Sequence, residues 1–194
     1  GRRVVSVADL HGDFKGMVEH LQALGLVSEG VSSDPASYPH NQIAGGPQLW
    51  SGGRAVFVQL GDVVHRGSHG LLMYRFLWKL QDQARAAGGQ VVLLLGNHEL
   101  FLLVGGDHDQ YTTFADACAY EKFNRNGCTK DNLKQWGRFP CAAYSSAENK
   151  PCPLEAMHRR WGEKEGDMRK EALERMQVAH QIGAQVFVHA GLVS

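Results

Sequence analysis

The chain has 194 residues, of which 43% are hydrophobic and 21% charged, and its 20 basic side chains balance 20 acidic ones. A chain of this length buries roughly 70% of its unfolded surface, which is enough for a single domain over residues 1–194. The neutral charge gives no sign of a nucleic-acid-binding surface, and no stretch reaches the ~20 apolar residues of a membrane span. We therefore expect a soluble protein without nucleic-acid partners.

The first elements predict a strand, a helix and a long polar loop. Residues 3–8 (RVVSVA) form an apolar run typical of a buried strand. Because this run begins so near residue 1, we expect no targeting peptide. Residues 13–26 carry apolar side chains at helical spacing, and Asp13 is placed as the N-cap. Residues 28–53 are rich in Gly, Pro and Ser, which predicts a loop with a short hairpin near Trp50.

Strand and helix patterns then alternate once more. Residues 55–60 (AVFVQL) and residues 90–95 (QVVLLL) both predict strands buried on two faces. Between them, residues 68–87 have one apolar helical face, which ends at Gly88 and Gly89. The resulting β-α-β-α-β order over residues 1–104 predicts an α/β fold with a parallel sheet.

The second half of the chain has a different character. Residues 105–153 are aromatic-rich and irregular and contain all four cysteines. Residues 154–182 predict a charged helix in two pieces, whose later part buries Leu173, Met176 and His180. Residues 185–191 (QVFVHAG) predict the fourth strand, which closes the chain.

Each predicted strand leads directly into polar residues that suit a ligand site. These motifs are DLHG at residues 9–12, GDVVHRG at 61–67, GNHE at 96–99 and HAG at 189–191. Ligands in α/β proteins bind at the carboxyl ends of strands, so the four motifs are expected to converge.

The residue types at these strand ends indicate metal ions. Carboxylate, imidazole and amide oxygen suit Mn, Fe or Zn better than a thiolate-based site does. One shared carboxylate with ligands on either side describes a two-metal centre, with the ions ~3.5–4 Å apart. The alternative, in which these residues are helix caps and satisfied polar groups, explains any one motif but not four together.

The motifs ADLHGD, GDVVHRG, GNHE and HAG resemble those of the phosphoprotein phosphatase family of metallophosphoesterases, in the family's order. The stretches WSGG and GNHELFLLVGGD are most similar to the Shewanella-like phosphatase branch. The resemblance covers nearly the whole chain, but it is thin over residues 107–181. It implies a calcineurin-like αββα sandwich. It also implies a metal-dependent phosphomonoester hydrolase that uses a metal-bridging water on a phosphoprotein (Ser/Thr or Tyr) or small phosphoester.

The resemblance also implies roles for single residues. It implies two divalent or trivalent metal ions that share one carboxylate. The ligands implied are Asp9, His11 and Asp62 for the first ion, and Asp62, Asn97 and His189 for the second. His98 would protonate the leaving oxygen, and Arg66 would bind the phosphate oxygens with its planar guanidinium.

The second motif departs from the family's usual GDxVDRG, because His65 replaces its second acid. In the family that acid orients the histidine that corresponds to His98 and raises its pKa. A second imidazole does not favour the protonated form, so we expect reduced activity. Loss of an orienting carboxylate costs up to ~10⁴ in rate in catalytic triads. It costs ~10–100-fold beside a metal. Alternatively, His65 itself acts on substrate or metal.

The family's pattern continues past HAG to another metal-binding histidine, further phosphate contacts and more strands. We therefore expect the second metal to lack one ligand within this sequence, and the sandwich to lack its C-terminal part. A missing segment or a partner chain would complete the site.

Two other functions stay open. One is a catalytically impaired pseudophosphatase or scaffold subunit, which His65 and the early carboxyl end motivate. The other is a hydrolase of dinucleoside polyphosphates, because similar motifs serve that chemistry.

The four cysteines give the one hint of compartment. Their spacing does not match the paired C-x-x-C pattern of zinc sites. Two disulfides, in any of three connectivities, would indicate an oxidising or organellar compartment, whereas four reduced thiols would not. The residues are Cys118, Cys128, Cys141 and Cys152.

Overall fold

A computed structural model describes residues 1–43, 48–105, 111–120 and 153–191. Within these ranges the strands lie in two sheets. The larger sheet is parallel, with the strand order β1-β2-β3-β4. Its strands are β1 Val4–Val7, β2 Val56–Gln59, β3 Gln90–Leu94 and β4 Met176–Gln177. The smaller sheet is antiparallel and consists of β5 Ala179–Ile182 and β6 Gln185–Val188.

The described helices connect and cover the larger sheet. They are α1 Phe14–Ala23, α2 Gly70–Ala86, α3 Asn97–Val104, α4 Phe114–Ala119, α5 Pro153–Gly162 and α6 Asp167–Arg175. The predicted cap of α1 is confirmed, since the Asp13 carboxylate accepts a hydrogen bond from the Gly16 N–H at 2.9 Å. Two 3₁₀ turns, Pro35–Ser37 and Pro39–Asn41, lie in the long loop after α1. The expected pairing near Trp50 is a single antiparallel bridge to Val27.

Both faces of the larger sheet are buried, as the apolar strands predict. On one face Phe57 and Val91 pack into the main core together with Phe14 and Phe76 of the helices. On the opposite face a smaller cluster packs against the second sheet. That cluster consists of Val56, Val58, Val92 and Leu94, with Ile182 and Phe187 against it. The layers are therefore helix, sheet and sheet, which agrees with the first three layers of the expected sandwich.

The β-α-β-α-β order of the first half and the strand over residues 185–188 are confirmed, but the helix predicted for residues 176–182 was wrong. Met176–Gln177 is the fourth strand of the parallel sheet, pairing with Leu93 and Leu94. Ala179–Ile182, predicted as helix, instead forms a hairpin with Gln185–Val188, and Gly183 turns it at a φ of 61°. Leu173 is 59% exposed on the helix, so the predicted buried stripe is absent there.

None of the helices in the described parts of the chain has the length and apolar character needed to cross a membrane.

Candidate metal centre

Backbone hydrogen bonds join the first and second motifs at the carboxyl edge of the sheet. The His11 N–H donates to the Asp62 carbonyl at 2.9 Å, and the Gly12 N–H donates to the Val63 carbonyl at 2.7 Å. The Gly67 N–H donates back to the His11 carbonyl at 2.8 Å. Gly12 has a φ of 73°, and a Cβ there would lie 2.6 Å from the Gly67 backbone. Glycine at position 12 is therefore required by both its conformation and its contact.

The motif backbones carry unusual conformations. Among the described residues, six non-glycine positions have a positive φ, and five of them belong to the first two motifs. These five are Asp9, His11, Asp62, His65 and Arg66. Such conformations are costly for residues with a Cβ and collect at functional sites.

Two groups of donor side chains meet at Asp62. In the first, Asp9, Asp62 and His189 offer ligand atoms that lie within 4.8 Å of one another. The His189 Nε2 lies 3.5 Å from Asp62 Oδ1, and Asn97 Oδ1 lies 3.0 Å from the same nitrogen.

The second group lies at the other carboxylate oxygen. It consists of His11, Asp62 and His98, whose ligand atoms also lie within 4.8 Å of one another. The Nε2 atoms of His11 and His98 each lie 3.8 Å from Asp62 Oδ2. Asp62 is 5% exposed and bridges the two groups, as predicted for a shared ligand.

The imidazole rings of His11 and His189 are oriented in the way that is usual for metal-binding histidines. The Nδ1 of His11 lies 3.0 Å from the Val64 carbonyl, and the Nδ1 of His189 lies 2.9 Å from the Leu60 carbonyl. With Nδ1–H donated to the backbone, each Nε2 presents a lone pair towards Asp62. This is the arrangement that metal-binding histidines usually show. The residues present therefore fit a pair of metal ions.

The structure brings together all five residues implied as ligands, but it groups Asp9 with His189 rather than with His11. It also places a ring nitrogen of His98 among the possible ligand atoms of His11 and Asp62, although the motif resemblance implies that His98 is the proton donor. How the ligands divide between two ions, and which residues carry the chemistry, stay predictions.

His65 contacts His98 directly. The two Nδ1 atoms lie 2.8 Å apart, so one imidazole donates and the other accepts. His65 is fully buried, and His98 is 3% exposed. Burial lowers the pKa of His98, the Asp62 carboxylate opposes this, and the charges of His11, Arg66 and His189 lower it further. Because His65 is buried, its geometry favours action through His98 over direct contact with substrate.

Arg66 lies beside this pair, on the edge of the same loop. Its side chain is exposed, and its backbone N–H donates to the Tyr111 carbonyl at 2.7 Å. The Tyr111 ring packs edge-on against His98, with ring centroids 5.1 Å apart. An exposed guanidinium next to the donor groups is suitably placed to meet a phosphate oxygen.

Glu99 has a structural role that the sequence interpretation did not assign. Its carboxylate is fully buried and accepts hydrogen bonds from four backbone N–H groups. The donors are Asp62, Val63, Val64 and Gly96, at 2.8 to 3.3 Å. Glu99 thus ties the second motif to the third. The available signal was its position three residues after Gly96, at a helix start, where an acid reaches back to the cap N–H.

Cys118, in α4, is disulfide-bonded, which confirms pairing over a reduced thiol for this residue. Cys128, Cys141 and Cys152 lie outside the described residues.

Three parallel strands and the end of the β5–β6 hairpin deliver two donor groups around one carboxylate, an arrangement that indicates a metallophosphoesterase. The family model for calcineurin-like phosphoesterases matches residues 2–158, and the chain belongs to that family. The predicted resemblance to the Shewanella-like branch is also confirmed. The chain is 29% identical over 205 residues to Shewanella-like protein phosphatase 2 of Arabidopsis thaliana, covering 99% of this chain and 47% of the relative.

Two further proteins were found to be similar to parts of this chain. The chain is 32% identical over 103 residues to Shewanella-like protein phosphatase 1 of Plasmodium berghei, covering 53% of this chain and 24% of that one. The crystal structure of a cold-active protein-tyrosine phosphatase from a Shewanella species superposes with a TM-score of 0.46 at 21% identity, covering 84% of this chain and 38% of that structure. The chain thus spans less than half the length of these relatives.

Proposed function

We propose that this chain is the metal-binding part of a phosphatase that hydrolyses phosphomonoesters, with phosphoproteins as substrates. The observation that carries this proposal is the shared carboxylate of Asp62, with imidazole donors 3.5 and 3.8 Å from its two oxygens. The family implies divalent metal ions. Manganese, iron or zinc suits a mixed carboxylate, imidazole and amide set.

Metal ions at this centre would supply Lewis acidity, which lowers the pKa of the attacking water and neutralises phosphate charge. The chain's own residues do the rest. Asp9, His11, Asp62, Asn97 and His189 hold the centre. Arg66 binds two phosphate oxygens with its fork of N–H donors, and this contact orients the ester for in-line displacement.

His98 donates a proton to the leaving oxygen, and His65 sets its orientation. To act as an acid, His98 carries a proton on both ring nitrogens: His65 accepts its Nδ1–H across their 2.8 Å contact, and its Nε2–H lies in the cleft beside Asp62. Transfer of the Nε2 proton to the leaving oxygen leaves His98 neutral, with its remaining proton on Nδ1. A neutral imidazole is a weaker acceptor than a carboxylate, so the pair orients the acid but stabilises its protonated form less. This predicts a working enzyme that is slower than one with an acid at position 65.

The His65 contact also favours a second candidate function, a catalytically impaired scaffold subunit. The two candidates differ in one measurable property: a phosphatase hydrolyses phosphoesters in a reaction that depends on Asp62, whereas a scaffold subunit does not. A dinucleoside-polyphosphate hydrolase differs only in substrate, so a substrate panel separates it.

The test is hydrolysis of an aryl phosphate with added Mn(II) by the wild type, Asp62→Asn and the control Asp34→Asn. Asp34 caps a surface 3₁₀ turn away from the centre, and asparagine can keep that cap. We expect activity in the wild type and control, and a loss of at least ~100-fold in Asp62→Asn. The opposite result is a wild type that folds and binds Mn(II) but hydrolyses neither aryl phosphate nor phosphopeptides nor a dinucleoside polyphosphate. That result would support the scaffold hypothesis.

A further inference from the structure

We propose that residues 111–116 form a clamp on the phosphate loop, residues 65–70, and that Thr113 and Asp116 are positioning residues for Arg66. This inference rests on the proposed function, in which Arg66 binds the substrate phosphate. Neither Thr113 nor Asp116 belongs to any of the four sequence motifs.

The clamp runs alongside the loop and contacts it at successive points. The Arg66 N–H donates to the Tyr111 carbonyl at 2.7 Å. Next along both segments, the Thr113 hydroxyl donates to the Gly67 carbonyl at 2.9 Å. Thr113 is 5% exposed, so this hydrogen bond is protected from water. The first contact fixes the peptide group before the Arg66 Cα, from which the guanidinium extends, and the second fixes the peptide group after Gly67. The peptide group between them is held by the Gly67 N–H, which donates to the His11 carbonyl.

Asp116 supplies the third contact, at the end of the loop. Its Oδ1 accepts the Gly70 N–H at 2.9 Å, at the start of α2. The residue at the N-cap position of α2, His69, gives no side-chain cap bond, so Asp116 caps this helix from 46 residues away. Asp116 is fully buried, and its burial raises the pKa of the carboxyl to about 7. Burying a carboxyl group costs free energy, and its hydrogen bond to the Gly70 N–H offsets part of that cost. The side chain therefore contributes a specific contact to the loop and does not merely fill space.

Arg66 needs such an anchor because of its backbone. His65 and Arg66 have φ values of 68° and 61°, and two successive non-glycine residues in this region are strained. The Arg66 side chain is exposed, so core packing does not fix it. Its position therefore depends on the backbone contacts that the clamp provides.

The kinetic test compares Thr113→Val with Thr113→Ser and with the neighbouring control Thr112→Val. Thr112 is buried like Thr113, but the three clamp contacts do not use its hydroxyl. We expect Thr113→Val to raise the KM for aryl phosphate and the Ki of inorganic phosphate by about three- to tenfold, with kcat within about twofold. Serine keeps the hydroxyl and is expected to keep wild-type values. An unchanged phosphate Ki in folded Thr113→Val would overturn the positioning role.

Hydrogen exchange tests the clamp without relying on activity. Asp116→Ala is expected to speed exchange in peptides covering residues 65–70, while the strand peptide 90–95 stays as in the wild type. Unchanged exchange of residues 65–70 would overturn the clamp itself. Arg66→Ala serves as the reference for the proposed function: if it leaves the phosphate Ki unchanged, the role of Arg66 is wrong, and the exchange result still decides whether the clamp exists.

Discussion

Replacing Glu99 by glutamine tests whether one buried carboxylate holds the second and third motifs together. Glu99 Oε2 accepts from Asp62 and Gly96, and Oε1 accepts from Val63 and Val64. Glutamine puts an amide nitrogen in the place of one oxygen, so two of these N–H groups face a donor. A hydrogen bond to a charged group contributes ~1.5–3 kcal/mol, so two lost bonds correspond to ~3–6 kcal/mol.

Part of that loss is offset, because an uncharged amide costs less to bury than a carboxylate. We therefore expect the free energy of unfolding to fall by about 3 kcal/mol. For a protein of this size that is a decrease in Tm of ~6–12 °C. Thermal melting followed by circular dichroism measures the change, and Mn(II) titration measures whether the centre loosens with it.

The control is Glu163→Gln, which makes the same chemical change on an exposed side chain and is expected to leave Tm within about 1 °C. A Glu99→Gln protein that melts within about 2 °C of the wild type and binds Mn(II) with unchanged affinity would refute the reasoning. The N–H groups of the second motif would then be satisfied without Glu99.

Three further outcomes follow from the same contacts. His65→Asp is expected to raise kcat by ~10-fold or more in the aryl phosphate assay, since a carboxylate accepts the His98 N–H more strongly; an equal or lower kcat contradicts this. Asp116 has its pKa raised by burial to about 7, so the wild type loses stability as the pH rises from about 4 to 7. Asp116→Asn should gain in Tm relative to the wild type across that window, and a constant Tm difference argues against the shift. Gly12→Ala, at a φ of 73° and against a neighbouring loop, should lower the free energy of unfolding by more than ~1 kcal/mol; Gly30→Ala, which faces open space, should not, and chemical denaturation compares them.

The parts of the fold that sequence could predict are those set by local pattern. Strands β1, β2 and β3 are short and mostly apolar, and their ends lead directly into the motif residues. A parallel sheet places such ends at one edge, so the convergence of Asp9, Asp62 and Asn97 followed from strand direction alone.

Residues 176–182 were mispredicted because their structure depends on distant partners. Met176 and Gln177 are too few to give a strand pattern, and their conformation is set by pairing with β3 about 80 positions earlier. The charged helix before them continues the helical periodicity in the sequence, whereas in the structure helix α6 ends at Arg175. Tertiary pairing thus overrode local preference.

The supporting residues of the site were missed for a related reason. Glu99 bonds to backbone 37 positions away, and Asp116 bonds to backbone 46 positions away. Each is an ordinary acid in the sequence. The position of Glu99 indicates its bond to the Gly96 N–H, but no local pattern reveals the distant peptide groups that the two acids meet. Motif residues can be recognised in a sequence by their type and spacing, but the residues that support them can be recognised only from their contacts in the structure.

The strain at the centre bears on whether this chain is an enzyme or a scaffold. Asp9, His11, Asp62, His65 and Arg66 all hold positive φ values. Each such conformation costs of order 1 kcal/mol, and buried groups such as Glu99 offset that cost. A binding subunit has no need to hold candidate metal donors and an exposed arginine in costly conformations. A catalyst does, because rate depends on the position of each group to within a fraction of an ångström. The strained backbone and its buried supports therefore favour catalysis, and they make Asp62-dependent turnover the expected result.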